Sequence, residues 1–196
     1  FNIKLKKILV LTYWSFKDPL IQSYTLPYLK LIDNTLPKNS KIYLVTLEQN
    51  NLKINNDERK IINDSLREHH ITLLPFKYSS FGISMAFKWT YYLIYLYVFS
   101  IINKINFIHC WCPTAGGVGY LLSLFTRKPL ILDSFEPHAE PMLESKTWSK
   151  NSMSFKILFM LEKLQAGRAD VVIGCVEKMK EYSLKKYNVV LKNFYS

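Results

Sequence analysis

The stretch Phe107–Pro141, FIHCWCPTAGGVGYLLSLFTRKPLILDSFEPHAEP, reads as strand, small-residue turn, helix, strand and polar loop. Phe107–Cys112 is a short apolar run that stops at Pro113, Thr114, Ala115, Gly116 and Gly117. Val118–Phe125 then continues as an apolar helix closed by Lys128 and Pro129. Leu130–Leu132 form the next buried strand, with Asp133, Ser134, Glu136, His138 and Glu140 at its carboxyl end. Open parallel sheets bind ligands just outside the carboxyl ends of their strands. Two neighbouring strand ends therefore carry the small and polar residues of a candidate site.

Outward from this stretch, strand and helix patterns alternate along the chain. Strands are expected at Lys7–Thr12, Lys41–Leu47, Ile71–Phe76 and Val171–Val176. Helices are expected around Ile21–Ile32, where Pro27 must lie in the first turn or make a kink, and at Asp57–Glu68, with Ile61, Ile62 and Leu66 at helical spacing. Further helices are expected at Trp89–Ile102, Phe155–Ala169 and Glu177–Tyr187. Alternation of this kind predicts an α/β fold, a doubly wound, mainly parallel, Rossmann-like sheet. Ser134–Ser154 is the longest irregular segment, which favours a functional loop.

Composition narrows the function. With 196 residues, 49% hydrophobic and 21% charged, the chain is globular and one domain is the natural count. The net charge of +11 comes mostly from scattered lysines, the arginines being Arg59, Arg67, Arg127 and Arg168. That pattern gives a diffuse basic surface or attraction to anionic lipid or phosphate. No finger, zipper or RNP signature is present, so nucleic acid is not expected as a partner. Cys110, Cys112 and Cys175 lie in apolar runs, read as reduced core residues of a cytoplasmic protein, and no metal site is expected. The chain starts at Phe1, and Phe1–Lys7 is too short for a secretory leader, which suggests a fragment. WTYYLIYLYVFSII, residues 89–102, is short of a bilayer span and is bracketed by Lys88 and Lys104. It fits a helix wedged on the sheet or one lying at a membrane interface.

The chemistry of the candidate site follows from its residue types. After the first strand, TYWSFKDPL has no glycine for a dinucleotide pyrophosphate, which disfavours an NAD- or methyl-donor-dependent enzyme. Gly116 and Gly117 either expose helix amides to a phosphate or permit close packing of helix on sheet. His138, in a polar loop among carboxylates, is a candidate acid, base or hydrogen-bond donor, or a surface histidine without a role. Pro137 stiffens the backbone between it and Glu136.

KILVLTYWSFKDPLIQSYTLPYL at residues 7–29, IHCWCPTAGGVGYLL at 108–122, PLILDSFEPHAEPMLESKTW at 129–148 and LEKLQAGRADVVIGCVEKMKEYSLKKYNV at 161–189 together resemble the amino-terminal half of a GT-B glycosyltransferase, of the glycosyltransferase family 4-like kind. The resemblance spans residues 1–196 and implies an acceptor-side domain. Asn188–Ser196 would run toward an interdomain crossing, with the donor-binding carboxyl-terminal domain beyond Ser196. It also implies hexosyl transfer from a nucleotide-sugar to a glycan or lipid-linked acceptor at the inner face of the cell membrane, with retained anomeric configuration and without a metal or other cofactor, as is usual in the family. His138 and Glu136 are the implied catalytic candidates, since Phe135 and Glu136 stand where the family carries its histidine. Thr114, Gly116, Gly117, Asp133 and Glu140, with Trp14 and Ser15, are the candidates for acceptor binding. A non-catalytic Rossmann-like module that binds a partner or membrane is the rival of another class.

Overall fold

The computed structural model describes residues 5–79 and 83–196. Phe1–Lys4, the greater part of the segment considered as a leader, lie outside the described residues. Seven strands make up the α/β fold: Ile71–Lys77, Lys41–Glu48 and Lys7–Leu11 lie side by side in that order, as do Phe107–Trp111, Leu130–Phe135, Val171–Gly174 and Phe194–Tyr195, and each described pairing is parallel. The chain divides into two compact units, residues 1–107 and 108–196.

In the first unit, β1 (Lys7–Leu11), β2 (Lys41–Glu48) and β3 (Ile71–Lys77) pair in register, with Ile42 opposite both Ile8 and Ile71. β2 is buried along nearly its whole length, as expected for a strand covered on both faces. The helical segment after β1 solves the Pro27 problem with a wide turn. Residues Ile21–Thr25 form a π turn, in which the Leu26 amide donates to the Ile21 carbonyl, and α1 (Leu26–Thr35) continues from it. Such a turn re-spaces the backbone where the proline ring would otherwise press on the preceding turn. α2 (Asn56–Arg67) opens with a capping box: the Asn55 side chain accepts from the Glu58 amide and Glu58 accepts from the Asn55 amide. Of its expected apolar face only Leu66 is buried; Ile61 is 69% exposed. The helix is anchored near its carboxyl end, leaving Ile61 and Ile62 to line a surface cleft.

α3 (Ile83–Ile102) begins earlier than the sequence pattern suggested. Its inner face packs on the sheet: Tyr92 meets Phe76 with ring centroids 4.6 Å apart, and Phe99 meets Tyr43 edge-on at 4.9 Å. Tyr92 also donates to the Lys77 carbonyl at 2.8 Å. Burial raises the Tyr43 phenol above its ordinary range.

The second unit contains β4 (Phe107–Trp111), which begins at its boundary, α4 (Pro113–Thr126), β5 (Leu130–Phe135), α5 (Ala139–Glu144) and α6 (Met153–Arg168). β6 (Val171–Gly174), α7 (Met179–Tyr182), a π turn at Ser183–Tyr187 and β7 (Phe194–Tyr195) complete it. Four expectations change. The small-residue turn Pro113–Gly117 is the first turn of α4, because proline is pre-shaped for that position. The loop Ser134–Ser154 contains α5. Phe194 and Tyr195 pair with β6 as a short strand. Cys175 is exposed because β6 ends at Gly174, one residue before it.

The glycines of α4 set how closely it packs. A Cβ on Gly119 would overlap Cys110 Sγ and come within 3.1 Å of Leu130; one on Gly116 would overlap the Gln165 side chain. Gly119→Ala is therefore expected to destabilise the protein by about 1–3 kcal/mol. Gly167→Ala meets only Val189, at 3.8 Å, and should be neutral or stabilise the helix by up to about 1 kcal/mol. Urea unfolding of the two variants checks the contrast, and equal stabilities would contradict it.

Candidate functional site

β5 delivers the candidate residues through an irregular end. Its pairing with β6 shifts register between Leu132 and Phe135, and Ser134 takes φ 49°. From there burial alternates: Phe135, Pro137 and Ala139 point inward, whereas Glu136 and His138 are exposed. The two candidate catalytic side chains thus share the solvent side of one short segment, as an extended chain with period two requires.

A buried carboxylate fixes that segment. Glu162 of α6 is wholly buried. Its Oε1 accepts the amides of His138 at 2.7 Å and Ala139 at 3.0 Å, and its Oε2 accepts the Tyr187 hydroxyl at 2.9 Å. A negative group suits the first amides of a helix, which have no partner within it. Burial raises the Glu162 carboxyl above its ordinary value of 4.5, outweighing these hydrogen bonds. Burial, the Glu162 charge and the Tyr182 contact raise the Tyr187 phenol.

Glu140 ties the same segment to the carboxyl-terminal helix. It accepts from Tyr182 at 2.7 Å and from Lys186 at 2.8 Å. Burial alone would raise its carboxyl, but the Lys186 and Tyr182 hydrogen bonds and the Lys186 charge leave it lowered from 4.5. Asp133 is buried with both oxygens engaged: Oδ2 lies 3.0 Å from His109 Nε2 and Oδ1 accepts the Ser134 amide at 2.7 Å. Side chains alternate along β4, with His109 facing Asp133 and Cys110 lying under Gly119.

At the head of α4, Cys112 has φ 73° and ψ 156°, a conformation that a side chain rarely adopts. Burial pushes its thiol up to about 11, opposed by hydrogen bonds from the amides of Ala115 and Thr114 and from the Thr114 side chain. The Gly116 amide donates to the Cys112 carbonyl at 2.9 Å. The helix-start amides of Thr114, Ala115 and Gly116 are thus turned to Cys112, and Gly116 and Gly117 are buried against Gln165 and Leu161 of α6.

In the first unit, Ser15 is buried, donating to the Leu47 carbonyl at 3.1 Å and accepting the Gln49 amide at 2.8 Å. Trp14 is half-buried, and its carbonyl accepts the Leu47 amide. Buried Glu48 accepts from the Phe16 amide at 3.1 Å and the Thr46 hydroxyl at 2.6 Å. A cleft of about 430 Å³ in this unit is lined by Phe16, Lys17, Gln22, Glu58, Ile61 and Ile62. It contains none of the candidate residues. Among the described residues, no group of three or more His, Cys, Asp or Glu could hold a metal ion.

Sequence reasoning missed Glu48 and the partner of His109, and it noted Glu162 only as part of a helix pattern. The available signal was a glutamate amid apolar residues in FMLEKLQAG, a position that a carboxylate occupies only with hydrogen-bond partners.

No protein-family model matches the chain, and no curated protein matches it significantly. Solved structures share its fold. A UDP-glucosyltransferase from Polygonum tinctorium capable of glucosylating indoxyl matches 98% of this chain and 51% of its own, with 11% identity and a TM-score of 0.57. Anabaena HepE in complex with UDP-glucose matches 96% and 43%, with 16% identity and a TM-score of 0.56. A Listeria monocytogenes protein assigned to the UDP-N-acetylglucosamine 2-epimerases matches 93% and 42%, with 10% identity and a TM-score of 0.56. The fold is therefore of the Rossmann-like kind found in GT-B proteins. The chain spans about half or less of the length of these structures.

The two glutamates give opposite pH signatures. Glu162, with a raised folded pKa, contributes stability fully below pH 4.5 and loses it as pH rises through the folded value. Glu140, with a lowered pKa, contributes above pH 4.5 and loses that as pH falls through its folded value. Glu162→Gln should abolish the decline above pH 4.5 and keep the acid-side loss; urea midpoints at stepped pH would contradict this if the upper slope is unchanged.

Proposed function

We propose that this chain is the acceptor-binding half of a GT-B glycosyltransferase. In this reading a hexosyl group moves from a nucleotide-sugar to a glycan or lipid-linked acceptor, with retained configuration and without a metal. The donor is held by a second Rossmann-like domain, and the enzyme is of the family 4-like kind that serves polysaccharide biosynthesis. A lipid-linked acceptor would bring this otherwise cytoplasmic protein to the inner face of the cell membrane. The observation that carries the reading is the exposed Glu136–His138 pair, held at a strand's carboxyl end by Glu162 in a fold that neighbours bound to UDP-sugar share.

Glu136 accepts a hydrogen bond from the acceptor hydroxyl, and His138 orients that hydroxyl or takes part in its proton transfer. Rigid backbone beneath exposed side chains lets both be aimed without ordering the loop at each turnover. Thr114 at the head of α4 contributes a further polar contact. Asp133, Glu140 and Gly116 support the acceptor site through the framework, since their polar groups are engaged within the protein.

The epimerase neighbour favours a second reading, in which a nucleotide-sugar is isomerised without an acceptor. Product analysis separates the two. A full-length parent protein that consumes a UDP-sugar should release UDP and glycosylate an acceptor; conversion to an isomeric UDP-sugar would support the second reading. His138→Ala in that protein should lower turnover at least roughly tenfold with unchanged melting, because the side chain is exposed. Wild-type rates would remove His138 from the mechanism.

A further inference from the structure

α3 carries its apolar residues on both faces. Its inner face is the aromatic contact with the sheet described above. Outward lie Phe87, Tyr91, Ile94, Val98, Ile101 and Ile102, with Phe87 75% and Ile102 72% exposed. At 100° per residue these positions, with Tyr95 and Tyr97, fall within an arc of roughly 160°. Thr90 is the polar exception within that arc. A surface helix ordinarily turns charged and polar residues outward, and soluble monomers rarely leave a contiguous apolar patch of this extent uncovered.

The charges around the stripe point to its occupant. Between Glu68 and Asp133 the sequence contains no acidic residue. Lys77 lies beside the middle of the helix, its carbonyl accepting from Tyr92; Lys88, in the first half, donates to the Ser79 hydroxyl at 3.3 Å; and Lys104 follows the helix end by two residues. Tyr91, Tyr95 and Tyr97 add amphipathic rings of the type that settle at headgroup depth. Among the described residues no helix is long and apolar enough to cross a membrane. We propose that the outward face of α3 docks on the surface of an anionic bilayer, its apolar stripe at the acyl boundary and its flanking lysines among the headgroups. A second copy of the chain fits less well, because two such faces would set lysines near lysines with no acidic residue on α3 to answer them. This docking surface does not depend on the transferase reading.

Flotation of the full chain with vesicles tests it. Wild type should bind vesicles of phosphatidylglycerol mixed with phosphatidylcholine and bind phosphatidylcholine alone weakly. Lys77→Glu with Lys104→Glu leaves the apolar stripe and the inner face intact, and should weaken partitioning to the anionic vesicles at least about tenfold. Tyr91→Ser with Ile94→Ser and Val98→Ser should abolish it while circular dichroism and melting stay native. Failure of wild type to float, or undiminished binding by the charge-reversed variant, would overturn the proposal. So would a dimer in sedimentation that the serine variant dissociates, since the face would then belong to a second copy.

Discussion

A single buried carboxylate governs how the second unit presents the exposed side chains at the carboxyl end of β5. Glu162 reaches from the middle of α6 to the backbone at His138 and Ala139 and to the hydroxyl of Tyr187. Burying a carboxylate without a cation is costly, and the raised pKa records that cost. The return is positional: the turn from β5 into α5 is pinned from beneath, and its exposed side chains are set by backbone held on the other side. Glu140 completes the arrangement through Tyr182 and Lys186, joining α5 to the last helix of the chain.

The same division of labour recurs at other strand ends. Asp133 spends its two oxygens on His109 and the Ser134 amide, which supports the irregular exit from β5. In the first unit Ser15 and Glu48 hold the segment after β1 by accepting and donating to neighbouring backbone. Buried polar groups in these places act as framework, because an unsatisfied donor or acceptor there would cost more than the bond contributes. Exposed side chains such as Glu136 and His138 stand where this framework holds their backbone.

Much of the fold was legible because it rests on local periodicity. β2 and β3 appear within a residue or so of their apolar runs, and α6 follows its helical pattern. The departures have tertiary causes. The glycines after Pro113 lie inside α4 and pack on Cys110, Gln165 and Leu161, contacts made with other elements of the fold. α5 is short and its start is stabilised by Glu162, so its own residues signal it weakly. Glu136 and His138 were legible as candidates from residue type and strand position. The engagement of Glu140, Asp133 and Ser15 was not, since hydrogen-bond partners lie far along the chain.

Amide hydrogen exchange at His138 and Ala139 in the wild-type protein tests the role of Glu162 most directly. Both amides should be protected far beyond the level of an exposed loop, and Glu162→Ala should release both while distant strands such as β2 stay protected. Exchange of the two wild-type amides at the rate of an unstructured segment would contradict the account, because the backbone under Glu136 and His138 would then not be held by the buried carboxylate.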